Sequence, residues 1–276
     1  MYRVALSNYF KFIFGILFFF VFSGCKRDID GASSINNQDL GYYTVTELGS
    51  GLDTVELDNV IDGYTDKRSY LPGEAVSYYL SGPNSGQQQL SVTDVNDQAV
   101  FSISANIKKQ SINSQKPWED GFLYEKTLTS ALPANLKSGI YFIGVVPFVC
   151  KSASPTPDIT VIYPTNTINA YNFLGGKSLY RPTFAERSTV VSFQRATKYS
   201  PEFTGIGFLK WISSQPYNVN YISDDDVENY DAFANSKTVI ICGHSEYWTR
   251  KARENIDRFV ASGKNLLVLS GNTMWW

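Results

Sequence analysis

Residues 238–269 read TVIICGHSEYWTRKARENIDRFVASGKNLLVL, and this stretch decides the fold. Thr238 to Cys242 is a short apolar run rich in β-branched residues, the composition of a strand buried on both faces. From Thr249 to Ala261 the apolar residues Ala252, Ile256, Phe259 and Val260 recur at helical spacing, and Gly263 follows as the left-handed cap residue. Leu266 to Leu269 is a second apolar run. Strand, crossover helix and strand predict a parallel pair with a right-handed connection.

The same alternation extends upstream. Strands are expected at Ile159 to Tyr163, Thr189 to Phe193 and Val219 to Ile222, and helices at Phe203 to Ser213 and Val227 to Phe233. Before Pro155 and Pro157, which mark a linker, the period changes to two. Ala75 to Leu80, Leu90 to Asp94 and Val100 to Ile103 alternate between turn signals such as Leu71-Pro72-Gly73-Glu74 and Gly82-Pro83-Asn84-Ser85-Gly86. Ile140 to Val146 reads as the last strand of this part. The expected class is α/β plus all-β, an Ig-like β-sandwich over 57–150 followed by an incomplete, mainly parallel open-sheet α/β domain over 155–276.

The N-terminus has the layout of an export signal. Arg3 and Lys11 precede an apolar core from Phe12 to Phe22, and Ser23-Gly24 stand directly before Cys25. The apolar run is short for a bilayer span of about 20 residues, so the expectation is a lipoprotein signal peptide over 1–24 with Cys25 as the lipidation site. Several acyl chains on one residue hold a protein firmly. The expected location is the cell envelope, at an outer membrane or cell surface. The polar stretch 25–56 has little to bury and reads as a tether.

Composition narrows the chemistry. Net charge is −2 with no Lys/Arg block, which sets nucleic acid aside. The chain has one histidine, His244, so a zinc site needing two imidazoles is excluded. Cys150 and Cys242 lie beside apolar runs and are expected as buried thiols.

In open α/β sheets ligands collect beyond the carboxyl ends of the strands. Three polar clusters follow strand-like runs here: Pro164 to Asn172, Gly243-His244-Ser245-Glu246-Tyr247-Trp248, and Ser270-Gly271-Asn272-Thr273. Glu246 suits a metal ligand or a base, and His244 suits a hydrogen-bond donor to a carbonyl. The plainer alternative is that Glu246 caps the helix and His244 is a polar group in a turn. Asp224-Asp225-Asp226 is expected to cap the helix after it, and Gly175-Gly176 reads as a tight turn. Aromatics such as Tyr163, Tyr171, Tyr180, Tyr247 and Trp248 line a pocket or fill a core.

At these residues the chain resembles the large subunit of N,N-dimethylformamidase and its relatives. The resemblance rests on Asn169-Ala170-Tyr171-Asn172 leading to Gly175-Gly176-Lys177-Ser178-Leu179-Tyr180, on Gly243 to Trp248, and on Ser270 to Thr273 before Trp275. Ile61-Asp62-Gly63-Tyr64 and Tyr70 to Glu74 also resemble the start of that family's β-sandwich, so the likeness spans about residues 59–276. It implies hydrolysis of a simple amide by a mononuclear iron held by two tyrosinates and one glutamate. By motif, Glu246 matches the glutamate and Tyr171 one tyrosine; Tyr141 and Tyr180 are the candidates for the second. His244 and Asn272 match groups that polarise the amide carbonyl or hold substrate. Phenolate and carboxylate are hard donors suited to Fe(III). The family continues beyond the position of Trp276, where a further acid is expected, so the chain reads as a truncated product. The expected partners are membrane lipid through Cys25, a small amide and a second copy of the chain. The rival expectation is a surface lipoprotein that binds a peptide or glycan without turning it over.

Overall fold

The structure, a computed structural model, describes residues 57, 59–180, 186–197 and 204–275. The expected signal, Cys25 and the tether lie outside the described residues. Among the described residues no helix is long and apolar enough to cross a membrane. The chain is a mixed α/β structure, richer in strand than in helix, with three sheets.

The first sheet orders β1 (Asp62–Thr65), β3 (Ala75–Ser81) and β6 (Leu128–Ala131), all antiparallel. The second orders β2 (Ser69–Tyr70), β8 (Val146–Cys150), β7 (Gly139–Ile143), β4 (Gly86–Asp94) and β5 (Ala99–Ile107). One core lies between these two sheets, built from Val76, Tyr78 and Leu80 on one side and Val92, Ile103, Tyr141 and Phe148 on the other. The opposite faces of β7 and β8 carry Ile140 and Val149 into a second core with Val161, Tyr221, Ile240, Leu209 and Ile212. Both strands are therefore apolar on both faces. That explains why 140–146 lacks alternation, and it corrects the expected single last strand: the chain turns at Gly144 (φ +58) to form a hairpin of two.

The third sheet is fully parallel, in the order β10 (Val219–Ser223), β9 (Ile159–Tyr163), β11 (Thr238–His244), β12 (Asn265–Gly271). The expected strand-helix-strand unit is present, with the helix at Arg250–Ala261. Thr249 caps it, its hydroxyl accepting from Ala252 N at 3.1 Å, and Gly263 follows in a left-handed conformation. Ala252, Ile256 and Phe259 bury against Ile162, Ile222 and Val239.

Other expectations need correction. Residues 189–193 form no strand, because their neighbourhood spreads its backbone bonds over separate segments: Ser188 N to Ser178 O, Ser192 N to Trp118 O, and Phe122 N to Gln194 O. The helix expected at Val227 to Phe233 is two 3₁₀ turns, Asp224–Glu228 and Tyr230–Ala232. Ser223 and Asp226 make a reciprocal capping box at the first of them, so that acid caps as expected. The helix before β10 begins at Ile206 and ends at Ser213 within the described residues. Cys150 and Cys242 are buried free thiols, and burial pushes both up to about 12.

Numbering the helices in chain order, α1 is Pro117–Asp120, α2 Thr165–Tyr171, α3 Ile206–Ser213 and α4 Arg250–Ala261. The helix over 165–171 lies within the polar cluster expected after β9, where the sequence pattern predicts no helix. Thr165-Asn166-Thr167-Ile168-Asn169 holds poor helix formers, and no side chain of its own caps either end. Help comes from far away in sequence. The Asp224 carboxyl accepts from Asn166 N at 2.7 Å, satisfying a free N–H at the first turn of α2.

Candidate functional site

In the parallel sheet the chain runs β9, then β10 on one side, then β11 on the other. The direction of progression reverses between β9 and β11, which opens a crevice beyond their carboxyl ends. The segment after β9 is α2, which ends on Tyr171; β11 ends on His244, and the segment after it carries Ser245, Glu246 and Tyr247.

These two segments meet through side chains. Tyr171 Oη donates to Glu246 Oε2 at 2.6 Å, the short range of a charge-assisted O–H···O bond. Glu246 is 6 % exposed, and its backbone N–H donates to Thr167 Oγ1 at 2.8 Å, so α2 holds it at two points. Burial first, then the hydrogen bond to Glu246 and its charge, hold the Tyr171 phenol above the ordinary phenol range. Tyr180 stacks on Tyr171 with ring centroids 4.5 Å apart, and Tyr247 meets Tyr171 edge-on at 6.3 Å. Burial and then Glu246 also raise the Tyr247 phenol. Helix capping is not what Glu246 does, since Thr249 has that task.

His244 is the last residue of β11 and pairs in register with Gly271, the last of β12. A Cβ on Gly271 would stand 3.1 Å from His244 Nε2, so the missing side chain is what leaves room for the imidazole over the end of β12. Asn272 follows at once, exposed and left-handed (φ +49), a conformation asparagine tolerates better than most residues. The turn between is firmly held: Ser245 N donates to Ser270 Oγ, while Ser245 O accepts from Trp248 Nε1 and Met274 N.

Tyr141 is elsewhere. It sits in the core between the first two sheets, 4 % exposed, stacked on Phe148 and donating to Lys137 O at 2.8 Å. Of the two candidates for a second tyrosine, Tyr180 is the one beside Tyr171. It gets there because Gly175 (φ +97) passes so close to Trp118 N that a Cβ would lie 3.0 Å away, and because Leu179 N donates to Ala170 O.

A separate cleft of about 60 Å³ is lined by Arg68, Phe148, Tyr163, Thr165, Phe193 and Arg195, among others. It includes none of Tyr171, His244, Glu246 or Asn272. Among the described residues there is no group of three or more His, Cys, Asp or Glu able to hold a metal ion; any cation at Glu246 would depend on phenol oxygens.

The sequence reading missed Thr167 and Arg195, which hold Glu246 and α2. Thr167 lies within the first polar cluster, but its partner, like those of Arg195, is fixed only by the fold.

No individual curated protein matches the chain. The family model described as N,N-dimethylformamidase beta subunit-like, C-terminal, matches residues 77–276, a span that includes β9, α2, β11 and the loop carrying Glu246. With that match over most of its length, the chain belongs to the N,N-dimethylformamidase beta subunit-like C-terminal family.

Proposed function

We propose that the protein is a lipid-anchored hydrolase of the C–N bond of a small amide, and that it works with a ferric ion. The observation that carries the reading is the Tyr171–Glu246 pair, two hard oxygen donors sharing one proton across 2.6 Å at the crevice of a parallel sheet, in a chain of this family. Their chemistry fits a hard trivalent cation better than zinc or copper(I), and such a cation would take the place of the shared proton. Tyr171, Glu246 and Tyr180 are the residues that would hold it. When bound, the ion supplies Lewis acidity toward a carbonyl and a water.

The protein's own groups have the remaining tasks. Tyr171 would hold the ion through Oη as a phenolate, its proton released to solvent. His244 and Asn272, on adjoining strand ends, hold the amide oxygen by hydrogen bonds. The rings of Tyr171, Tyr180 and Tyr247 exclude water from one side. We also read the two packed, mainly antiparallel sheets as an Ig-like sandwich, and residues 1–24 as the signal that leads to lipidation at Cys25.

The test is iron reconstitution of the intact protein, followed by metal analysis and visible spectroscopy. Stoichiometric iron with an Fe(III)–phenolate charge-transfer band is expected; protein that stays metal-free ends the hydrolase reading. Labelling with a fatty acid tests the anchor separately, since Cys25→Ser should abolish incorporation. A second reading, a lipoprotein that binds a peptide or glycan, is favoured by one feature. Tyr180 is 44 % exposed and stacked on Tyr171, a flat aromatic platform. A pure binder takes up no stoichiometric iron.

A further inference from the structure

Arg195 is 1 % exposed and faces no carboxylate among its hydrogen-bond partners. Its Nε donates to Ser192 O at 2.8 Å. One terminal nitrogen donates to Asn172 O and Leu174 O, both at 2.9 Å, and to Lys177 O at 3.3 Å. The other donates to Asn169 O and Asn169 Oδ1, both at 2.9 Å. Burial alone draws the guanidinium down to about 10, so it stays charged at neutral pH. Taking a charge out of water is costly unless its donors are satisfied, and here backbone carbonyls satisfy them.

Those carbonyls are not scattered. Asn169 and Asn172 stand at the carboxyl end of α2, where helix carbonyls lack partners and the dipole is negative. The last turn of α2 has no basic residue of its own. Leu174 and Lys177 lie in the loop that leads to Tyr180. Asn172 Nδ2 returns a bond to Ala196 O at 2.9 Å, so the two segments grip each other. The clamped stretch brackets Tyr171 and ends beside the residue that stacks on it.

We infer that Arg195 is a positioning residue that sets the place of Tyr171 Oη against Glu246 by clamping the end of α2 and the 172–180 loop. A planar fork with five donors can serve these six acceptors with one N–H shared; a lysine ammonium has three donors and no such plane. The inference goes beyond the proposed hydrolysis, because it concerns the geometry of the pair whether the site turns over an amide or only binds one.

The test is therefore read on intact, metal-free protein. A short O–H···O bond gives a hydroxyl proton resonance far downfield in the proton NMR spectrum, assigned by its loss in Tyr171→Phe. Arg195→Met, checked for folding by circular dichroism, should lose that resonance, and Arg195→Lys should keep it at a less downfield position. If Arg195→Met does not fold, Asn169→Ala decides, since it removes one acceptor and leaves the charge in place; an upfield shift is expected. A role in stability alone would lower the melting temperature and leave the resonance where it is. The deciding variant with an unmoved resonance overturns the inference, as does a parent protein without the resonance.

Discussion

Two tyrosines, one in each half of the molecule, share most of their physical description and differ in what their hydroxyls meet. Tyr141 in β7 and Tyr171 at the end of α2 each stack on another aromatic ring, and burial is the first cause that raises each phenol. Tyr141 donates to a backbone carbonyl four residues away and faces the core between the first two sheets. Tyr171 donates to a carboxylate 75 residues away at the carboxyl edge of the parallel sheet. A carbonyl satisfies a phenol and ends the matter. A carboxylate makes a second ionisable oxygen available at the same spot, and the proposed cation site rests on that difference.

The strongest way to break this contrast is to remove the carboxylate. Glu246→Ala should lose both iron and charge-transfer colour after reconstitution, with turnover at background. Tyr141→Phe should keep iron and colour and cost about 1 kcal/mol of stability, the net value of one hydrogen bond. Equal effects of the two would dissolve the distinction between core and site.

The core side is sharpened by Phe148→Ala. Phe148 is 1 % exposed and contacts the rings of Tyr70, Tyr78 and Tyr141, so truncation should cost about 3–5 kcal/mol in denaturant melts. The folded fraction should still take up iron. On the site side, His244→Ala should keep the metal and lower turnover on the order of a hundredfold, as for loss of one oxyanion donor. Loss of iron in that variant would make His244 a ligand instead.

Asp224 gives a smaller effect with a defined sign. It is buried, 5 % exposed, and burial is the main cause that raises its carboxyl to about 7, offset in part by the bonds from Asn166 N and Thr165 and by Arg68. Because the folded value exceeds that of the unfolded chain, its contribution is complete below the unfolded pKa, about 4. It falls as pH rises through that window and is gone above about 7. Stability should decline across this range with a slope of at most about 1.4 kcal/mol per pH unit for one proton. Chemical denaturation at several pH values checks it, and Asp224→Asn should flatten the curve.

The sequence was legible wherever a short-range pattern had one physical solution. The period-two runs of β3, β4 and β5 and the β11–α4–β12 unit were each readable because alternation or helical spacing assigns a buried face without knowing what covers it. The three polar clusters at strand ends were readable for the same reason. Residues 189–193 misled, since β-branched composition alone does not say whether a neighbouring strand is there to pair with. Tyr141 could not be told from Tyr180 by type, because the choice depends on which loop folds back against α2.

What the sequence by itself determined, then, was the period of each segment and the residue types presented after each strand. Only the tertiary structure decided the strand order that opens the crevice between β9 and β11, and the existence of α2. That seven-residue helix has poor intrinsic propensity. It meets the carboxyl of Asp224 at its first turn and the guanidinium of Arg195 at its last. Local pattern fixes local conformation. A helix whose two ends are satisfied by side chains 58 and 26 residues away exists only once the chain has brought those side chains to it.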